Sequence, residues 1–127
     1  MDTTETQTLQ SLYPVVRHND AKAAIAWLVS ALGFEEHLVC PGEGESIAHA
    51  ELKLGGNLIM LGNVKEGETG GIYVALDSPA AVDGCYARAK KAGAEITRDL
   101  CDTDYGSREF GLRDSEGHMW GFGTYRP

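Results

Sequence analysis

His49 and Glu51 are the two side chains whose types and spacing come closest to acid–base chemistry. They lie two positions apart in the segment HAELKL, where apolar and polar residues alternate as they do along a β-strand with one buried face. Leu52 and Leu54 are expected to pack under a helix, which turns His49 and Glu51 to the opposite face of the sheet. If both are buried, each shifts the proton affinity of the other. The alternative is a solvated strand edge.

Glu109 is placed by the same alternation in a second segment, SREFGLR. Phe110 and Leu112 are expected to pack against a helix. Glu109, Gly111 and Arg113 then face the other side of the sheet, which is also the side predicted for His49. A carboxyl group is therefore expected on the same face of the sheet as the histidine.

Other kinds of chemistry find no support in the residue spacing. The sequence has no glycine-rich phosphate loop, no paired CxxC motif and no Ser-His-Asp or Cys-His arrangement. The cysteines Cys40, Cys85 and Cys101 are widely separated, which predicts reduced thiols rather than a disulfide framework or a zinc site. The formal net charge of −8 argues against nucleic acid binding, because phosphate contacts need clustered Lys and Arg.

The length of the chain and its N-terminal segment predict the number of domains and the location of the protein. A chain of 127 residues predicts a single domain. No apolar run is long enough to predict a membrane span. The polar, acidic start MDTTETQTLQS resembles neither a signal peptide nor a transit peptide, so a cytoplasmic location is expected.

The sequence repeats itself once, at an interval of sixty residues. PVVRHNDAKAAIAWLVSALGF begins at Pro14, and IYVALDSPAAVDGCYARAKKAGA begins at Ile72. Each reads as an apolar strand, a helix and a glycine stop, and the stops Gly33 and Gly93 are sixty positions apart. β-strand segments follow each helix, so each half is predicted to have the order βαβββ. The polar segment KEGETGG links the halves.

The two predicted helices carry start signals and an apolar stripe each. The first is expected to be capped by Asn19 or Asp20, and the second by Ser78 with Pro79 in its first turn. Residues at helical spacing are expected to face the sheet. They are Ile25, Leu28, Val29 and Leu32 in the first helix, and Val82, Cys85, Tyr86 and Ala89 in the second.

The chain resembles the vicinal oxygen chelate superfamily in three segments: YPVVRHNDAKAAIAWLVSALGFE, AHAELKLGGNLIMLGN and DTDYGSREFGLRDSEGHMWGFGTY. The last segment is most similar to the glyoxalase/bleomycin-resistance branch. The resemblance implies an α+β fold in which two βαβββ modules form a curved mixed sheet around a cleft, with the helices outside. Module one runs from about residue 12 to 64 and module two from about 71 to 125. The fold hosts several chemistries, so it does not name the function.

Metal-dependent members of the superfamily hold their ion with His, Gln or Glu from the first and last strands of each module. The resemblance carries these four places onto Tyr13, Met60, Gly71 and Gly121. None is a good ligand for a divalent ion, so we expect neither a metal nor another cofactor. Gly121 is then expected to leave open volume in the cleft. The alternative is that Gly121 relieves packing against a bulky neighbour.

Strand alternation then predicts which other side chains line the cleft. Aromatic and thioether groups mix there with a few ionisable groups, which suits a planar or partly apolar ligand with cationic or hydrogen-bonding groups. Tyr105 and Arg108 lie on a predicted loop, either as a lid over the cleft or as ordinary surface. The residues predicted to bind the ligand are Tyr13, Arg17, His49, Glu51, Met60, Tyr73, Tyr105, Glu109 and Met119.

The residues and the resemblance together predict a metal-free protein that binds a small, cationic or aromatic, antibiotic-like molecule. The resemblance also implies a homodimer, with the modules paired within one chain or exchanged between two. One alternative is a glyoxalase-type lyase or isomerase that uses a divalent metal or the pair His49 and Glu51. The other is a structural or regulatory dimer with no ligand.

Overall fold

The order βαβββ occurs twice along the chain, as the repeat predicts. The structure, a computed structural model, describes residues 10–64 and 70–127. The first set is β1 (Leu12–His18), α1 (Ala21–Leu32), β2 (Glu35–Pro41), β3 (Ile47–Leu54) and β4 (Asn57–Asn63). The second set is β5 (Gly71–Ala75), α2 (Pro79–Lys91), β6 (Glu95–Asp102), β7 (Arg108–Arg113) and β8 (Met119–Gly123). Most of the predicted link KEGETGG lies outside the described residues.

The strands form one mixed sheet in the order β2-β3-β4-β1-β5-β8-β7-β6. β1 and β5 meet antiparallel at its centre, where Tyr13 lies opposite Tyr73. The first and last strands of each half are parallel, with Val15 opposite Met60 and Tyr73 opposite Gly121. The α+β fold with two such units is confirmed, and the units join edge to edge within one chain.

Helix α1 begins at the predicted cap, and its buried face is narrower than predicted. Asp20 accepts a hydrogen bond from the backbone N–H of Ala23 at 3.0 Å. Gly33 ends the helix with φ 78°, a left-handed conformation that favours glycine. Ile25 is buried and Leu28 packs against the same core.

The prediction was wrong for two members of the α1 stripe. Val29 is 37% exposed and Leu32 is 52% exposed. The helix meets the sheet along the line Ala21, Ile25 and Leu28, whose spacing is i, i+4, i+7. Apolar spacing alone does not distinguish this narrow line from the broader stripe.

Helix α2 follows its prediction more closely. Ser78 caps it, and Pro79 is its first residue. Val82 is fully buried, and the other three stripe residues are half-buried. The ring of Tyr86 meets the edge of Phe110 with centroids 5.2 Å apart, which joins this helix to β7.

Two apolar clusters lie on opposite faces of the sheet. Leu52 and Leu61 pack with Ile25 of α1. Tyr13, Met60, Tyr73 and Ala75 form the other cluster, away from the helices. This division confirms the predicted alternation along β3, β4 and β5.

Leu54 is the exception on β3. It was expected to pack under a helix, but it is 48% exposed because β3 ends at this residue, where the chain turns at Gly55. No helix within the described ranges is long and apolar enough to cross a membrane.

Candidate functional site

A cleft of about 640 Å³ lies between the two halves of the sheet. Side chains from both halves form its wall. Of the residues predicted to bind a ligand, those on the wall are Arg17, His49, Met60, Tyr73, Tyr105, Glu109 and Met119.

Tyr13 and Glu51 are also brought to this region, but they lie behind the wall. Tyr13 is 2% exposed, and its hydroxyl donates to the backbone oxygen of Gln10 at 2.9 Å. Its ring packs against Tyr73 with centroids 6.1 Å apart. Glu51 is 1% exposed. Neither residue is therefore among those that line the cleft.

The first polar group of the cleft is the His49–Glu51–Tyr125 cluster. Nε2 of His49 lies 2.8 Å from Oε2 of Glu51. The hydroxyl of Tyr125 donates to the same carboxylate oxygen. Burial raises the pKa of the Tyr125 phenol, and its hydrogen bond to Glu51 raises that pKa further. The phenol therefore remains protonated at neutral pH and donates to the carboxylate.

The second polar group surrounds Glu109, which is also buried. Its Oε1 accepts hydrogen bonds from Nη1 of Arg98 at 3.0 Å and from the hydroxyl of Tyr105 at 2.8 Å. Burial raises the pKa of Tyr105, and the hydrogen bond to Glu109 adds to this effect. Burial also raises the pKa of Tyr73, with a further contribution from the charge of Glu109.

The two groups stand at equivalent places in the repeat. His49 on β3 and Glu109 on β7 are sixty positions apart. Glu51 pairs with Met60, and its equivalent Gly111 pairs with Gly121. One half therefore presents an imidazole with a carboxylate behind it, and the other presents a carboxylate.

The side chains of Tyr105 and Arg108 lie in different surroundings. Tyr105 lies on the cleft wall, with its ring edge against Tyr125 at 5.8 Å between centroids. Arg108 turns away and binds Asp83 of α2 and Asp102 of β6, at 2.8 and 3.1 Å. The two residues therefore do not form one surface over the cleft.

Tyr125 is the main wall residue that the sequence did not predict. It follows the last strand, where strand alternation gives no prediction. Its backbone N–H donates to Oγ of Ser107 at 2.9 Å, and its carbonyl accepts from the Tyr73 hydroxyl at 2.6 Å. These bonds turn the ring into the cleft, and only the aromatic residue type signalled it in the sequence.

Leu38, Cys40 and Arg98 also line the cleft without having been predicted. They lie on the outer strands β2 and β6. The pairing of both strands shifts register, next to Leu38 and Cys40 in β2 and on either side of Arg98 in β6. An extra residue in a strand reverses the faces beyond it, so the alternation could not be followed there.

Tyr13, Met60, Gly71 and Gly121, the four places that the resemblance predicts as metal-ligand positions, do not fit a divalent ion. A side chain at Gly71 would clash with the backbone oxygen of Met119, so this place accepts glycine only. The Tyr13 hydroxyl is already bound to Gln10, and Met60 offers a soft thioether. Within residues 10–64 and 70–127, no three His, Cys, Asp or Glu side chains group as a metal site.

Gly121 differs from Gly71 in its surroundings. A Cβ atom there would meet only Cδ1 of Tyr73, at the ordinary contact distance of 3.7 Å. Packing therefore does not require glycine at this place, and the alternative reading of Gly121 is not supported. The missing side chain leaves volume that belongs to the cleft, whose wall includes Gly121.

Comparison with known proteins gives a family and several relatives. A family model described as Glyoxalase/Bleomycin resistance protein/Dioxygenase superfamily matches residues 10–122. The uncharacterized protein Rv0887c of Mycobacterium tuberculosis is 29% identical over an alignment of 133 positions, which covers 96% of this chain and 78% of that protein.

Two solved structures illustrate the fold. A superfamily member from Vibrio splendidus is 22% identical with a TM-score of 0.73, over 91% of this chain and 98% of that one. The Mn(II)-bound glyoxalase of Novosphingobium aromaticivorans is also 22% identical, with a TM-score of 0.61. It is matched over 91% of this chain and 38% of its own. At these identities the likeness concerns the fold.

Proposed function

Because the chain belongs to the Glyoxalase/Bleomycin resistance protein/Dioxygenase superfamily, we propose that it binds a small, planar organic molecule in the cleft between its two halves. The supporting observation is the wall itself, on which Tyr73, Tyr105, Met60 and Met119 lie together with Gly121. A volume of about 640 Å³ lies within the range typical of small-molecule sites. Flat apolar ligands gain from contact with rings and thioethers.

The charges of the site favour an aromatic ligand over a merely cationic one. The carboxylates of both polar groups already accept hydrogen bonds, Glu51 behind the wall from Tyr125, and Glu109 from Arg98 and Tyr105. The net charge of −8 attracts a cationic substituent at longer range. An antibiotic-like molecule with an aromatic body and a positive group at the rim fits both observations, and the protein would act by sequestering it.

The test uses the open volume beside Gly121. Aromatic metabolites and cationic aromatic antibiotics are screened by thermal shift, and any ligand found is measured by calorimetry. A ligand at 100 times its Kd stabilises the folded chain by about 2.7 kcal/mol, which raises the Tm. We expect Gly121→Leu, whose side chain would occupy the open volume next to Tyr73, to lose the shift, whereas the matched control Gly121→Ala keeps it. No shift from any compound, or equal binding by Gly121→Leu, would contradict the proposal.

A second candidate is a lyase or isomerase of the glyoxalase type. The donor set described above does not support its metal-dependent form, whereas the 2.8 Å contact between His49 and Glu51 favours an acid–base form. Dialysis against Ni²⁺ or Zn²⁺ followed by elemental analysis tests the metal-dependent form. Stoichiometric metal that is lost in His49→Gln or Glu51→Gln would favour the enzyme over a binding protein.

We also propose a homodimer in the cytoplasm. The support for the dimer is the set of large apolar side chains that stay exposed in a single copy, among them Leu12 and Trp27, each 58% exposed. Light scattering at micromolar concentration tests the dimer. A mass of one chain would contradict it.

A further inference from the structure

We infer that the imidazole of His49 takes the proton of an acidic hydroxyl on the bound molecule, so that the cleft selects planar ligands with a phenol or enol group and holds that one group ionised. The inference rests on the proposed function and names the chemical class of its ligand. It uses the His49–Glu51–Tyr125 cluster, which binding of an apolar ring alone would not require.

The carboxylate fixes where the imidazole carries its own proton. Oε2 of Glu51 accepts from the Tyr125 hydroxyl and lies 2.8 Å from Nε2 of His49. A carboxylate only accepts, so the ring must donate through an Nε2–H group. The neutral ring then has an unprotonated Nδ1.

That second nitrogen is available to a ligand. Within the described residues, the hydrogen bond of the His49 ring is made at Nε2, on the side of Glu51. The ring is part of the cleft wall, and its side chain is 34% exposed, so a ligand reaches it without a rearrangement. Glu51 behind it is 1% exposed and stays out of reach of the ligand.

The proton transfer needs no further reactant. The O–H bond of the ligand breaks, its electron pair stays on the oxygen, and an N–H bond forms at Nδ1. The resulting imidazolium lies between the ligand anion and the Glu51 carboxylate. This buried carboxylate stabilises the positive ring, because opposite charges attract more strongly away from water. Glu51 is thus a positioning residue, and His49 is the residue that contacts the ligand.

Other ionisable groups around the pair define the competing explanations. From β2, Cys40 lies opposite His49 in the strand register, and His37 places its Nε2 3.9 Å from Oε1 of Glu51. From β1, Arg17 lines the same cleft. His37 is the rival base, because it also faces Glu51.

The experiment uses umbelliferone, a planar phenol whose anion has its own absorption band, and its O-methyl ether, which cannot ionise. We expect the ionisation constant of bound umbelliferone to rise at least about tenfold, a fall of one unit in its pKa. In His49→Gln the bound dye should ionise like the free dye, and Glu51→Gln should lie between the two. His37→Gln and the exposed turn variant His118→Gln should resemble the wild type.

The outcomes separate this inference from the proposed function. If neither dye binds, both are overturned for planar ligands. If both dyes bind alike and bound umbelliferone ionises like the free dye, the inference falls while ligand binding stands. Loss of the effect in His37→Gln but not in His49→Gln would also overturn it. Should Glu51→Gln fail to fold, His49→Gln decides alone, since its ring is part of the open wall.

Discussion

Gly123 leaves the space that the Glu109 side chain fills. A Cβ atom at Gly123 would lie 2.7 Å from Cγ of Glu109 and 2.8 Å from the Tyr73 hydroxyl. Real Cβ atoms do not approach so closely, so this glycine is required by its neighbours. The absence of a side chain at Gly123 allows the buried Glu109 carboxylate and the buried Tyr73 phenol to lie next to this strand.

Gly123→Ala is therefore expected to destabilise the fold by about 1–3 kcal/mol, the usual cost of an overpacked site. Gly121→Ala, two positions earlier on the same strand, is the matched control, because its Cβ would make an ordinary 3.7 Å contact. The free energies of unfolding are measured by urea denaturation. Equal losses in the two variants would contradict the packing described at Gly123.

Leu52→Ala is expected to cost about 2–5 kcal/mol, because the side chain is fully buried and its removal leaves a cavity. Leu54→Ala makes the same chemical change on the same strand where the side chain is 48% exposed. Its effect should stay within about 0.5 kcal/mol. The two variants are compared by their urea denaturation midpoints, provided that the denaturant slopes are equal. A larger loss in Leu54→Ala than in Leu52→Ala would contradict the burial described for β3.

Asp114 holds the turn between β7 and β8. The Trp120 indole N–H donates to it at 3.0 Å and lowers its pKa, as does the N–H of His118 at 2.9 Å. A lowered pKa adds stability above the unfolded value of about 3.9, and this stability is lost as pH falls through the folded pKa. Asp114→Ala should thus lower the Tm at pH 7, with a smaller difference in acid.

The control for this prediction is Glu116→Gln, which removes an exposed carboxylate from the same turn. It corrects for the general gain from reducing the net charge of −8. A difference between Asp114→Ala and wild type that stays constant from neutral to acid pH would show that the charge of Asp114 contributes nothing.

The tyrosines of the cleft should titrate late. Burial raises the pKa of Tyr73, Tyr105 and Tyr125 above the usual value near 10. Stability is then complete below pH 10 and is lost as pH rises toward the folded pKa values, because the unfolded chain releases these protons first. Ultraviolet titration of phenolate checks this against the urea-unfolded chain. Superimposable curves for the two states would contradict it.

Much of the fold could be predicted from local patterns in the sequence. Gly33 marks the end of the first helix because its φ of 78° disfavours side chains. Ser78 and Pro79 mark the start of the second helix. The sixty-residue repeat then makes the second half a check on the first, and the alternation of Leu52 and Leu61 against Met60 fixes which face meets the helices.

The missed parts of the site depend on non-local contacts. Tyr125 reaches the cleft through Ser107 and Tyr73, and no periodic pattern covers residues beyond the last strand. Cys40 and Arg98 lie next to register shifts, where the two-residue period is interrupted. Val29 and Leu32 show the opposite error, since an apolar pattern does not guarantee that a partner covers it.

His49 and Glu109 occupy equivalent positions in the two halves but differ in chemistry, so the two ends of the cleft are not the same. If the two halves carried identical side chains, a ligand would bind equally well in either of two opposite orientations. Here a basic ring stands at one end and an acid at the other. The two orientations of an unsymmetrical ligand therefore differ in binding free energy, and one of them is favoured. The βαβββ order occurs twice, but the side chains at the two ends of the cleft differ.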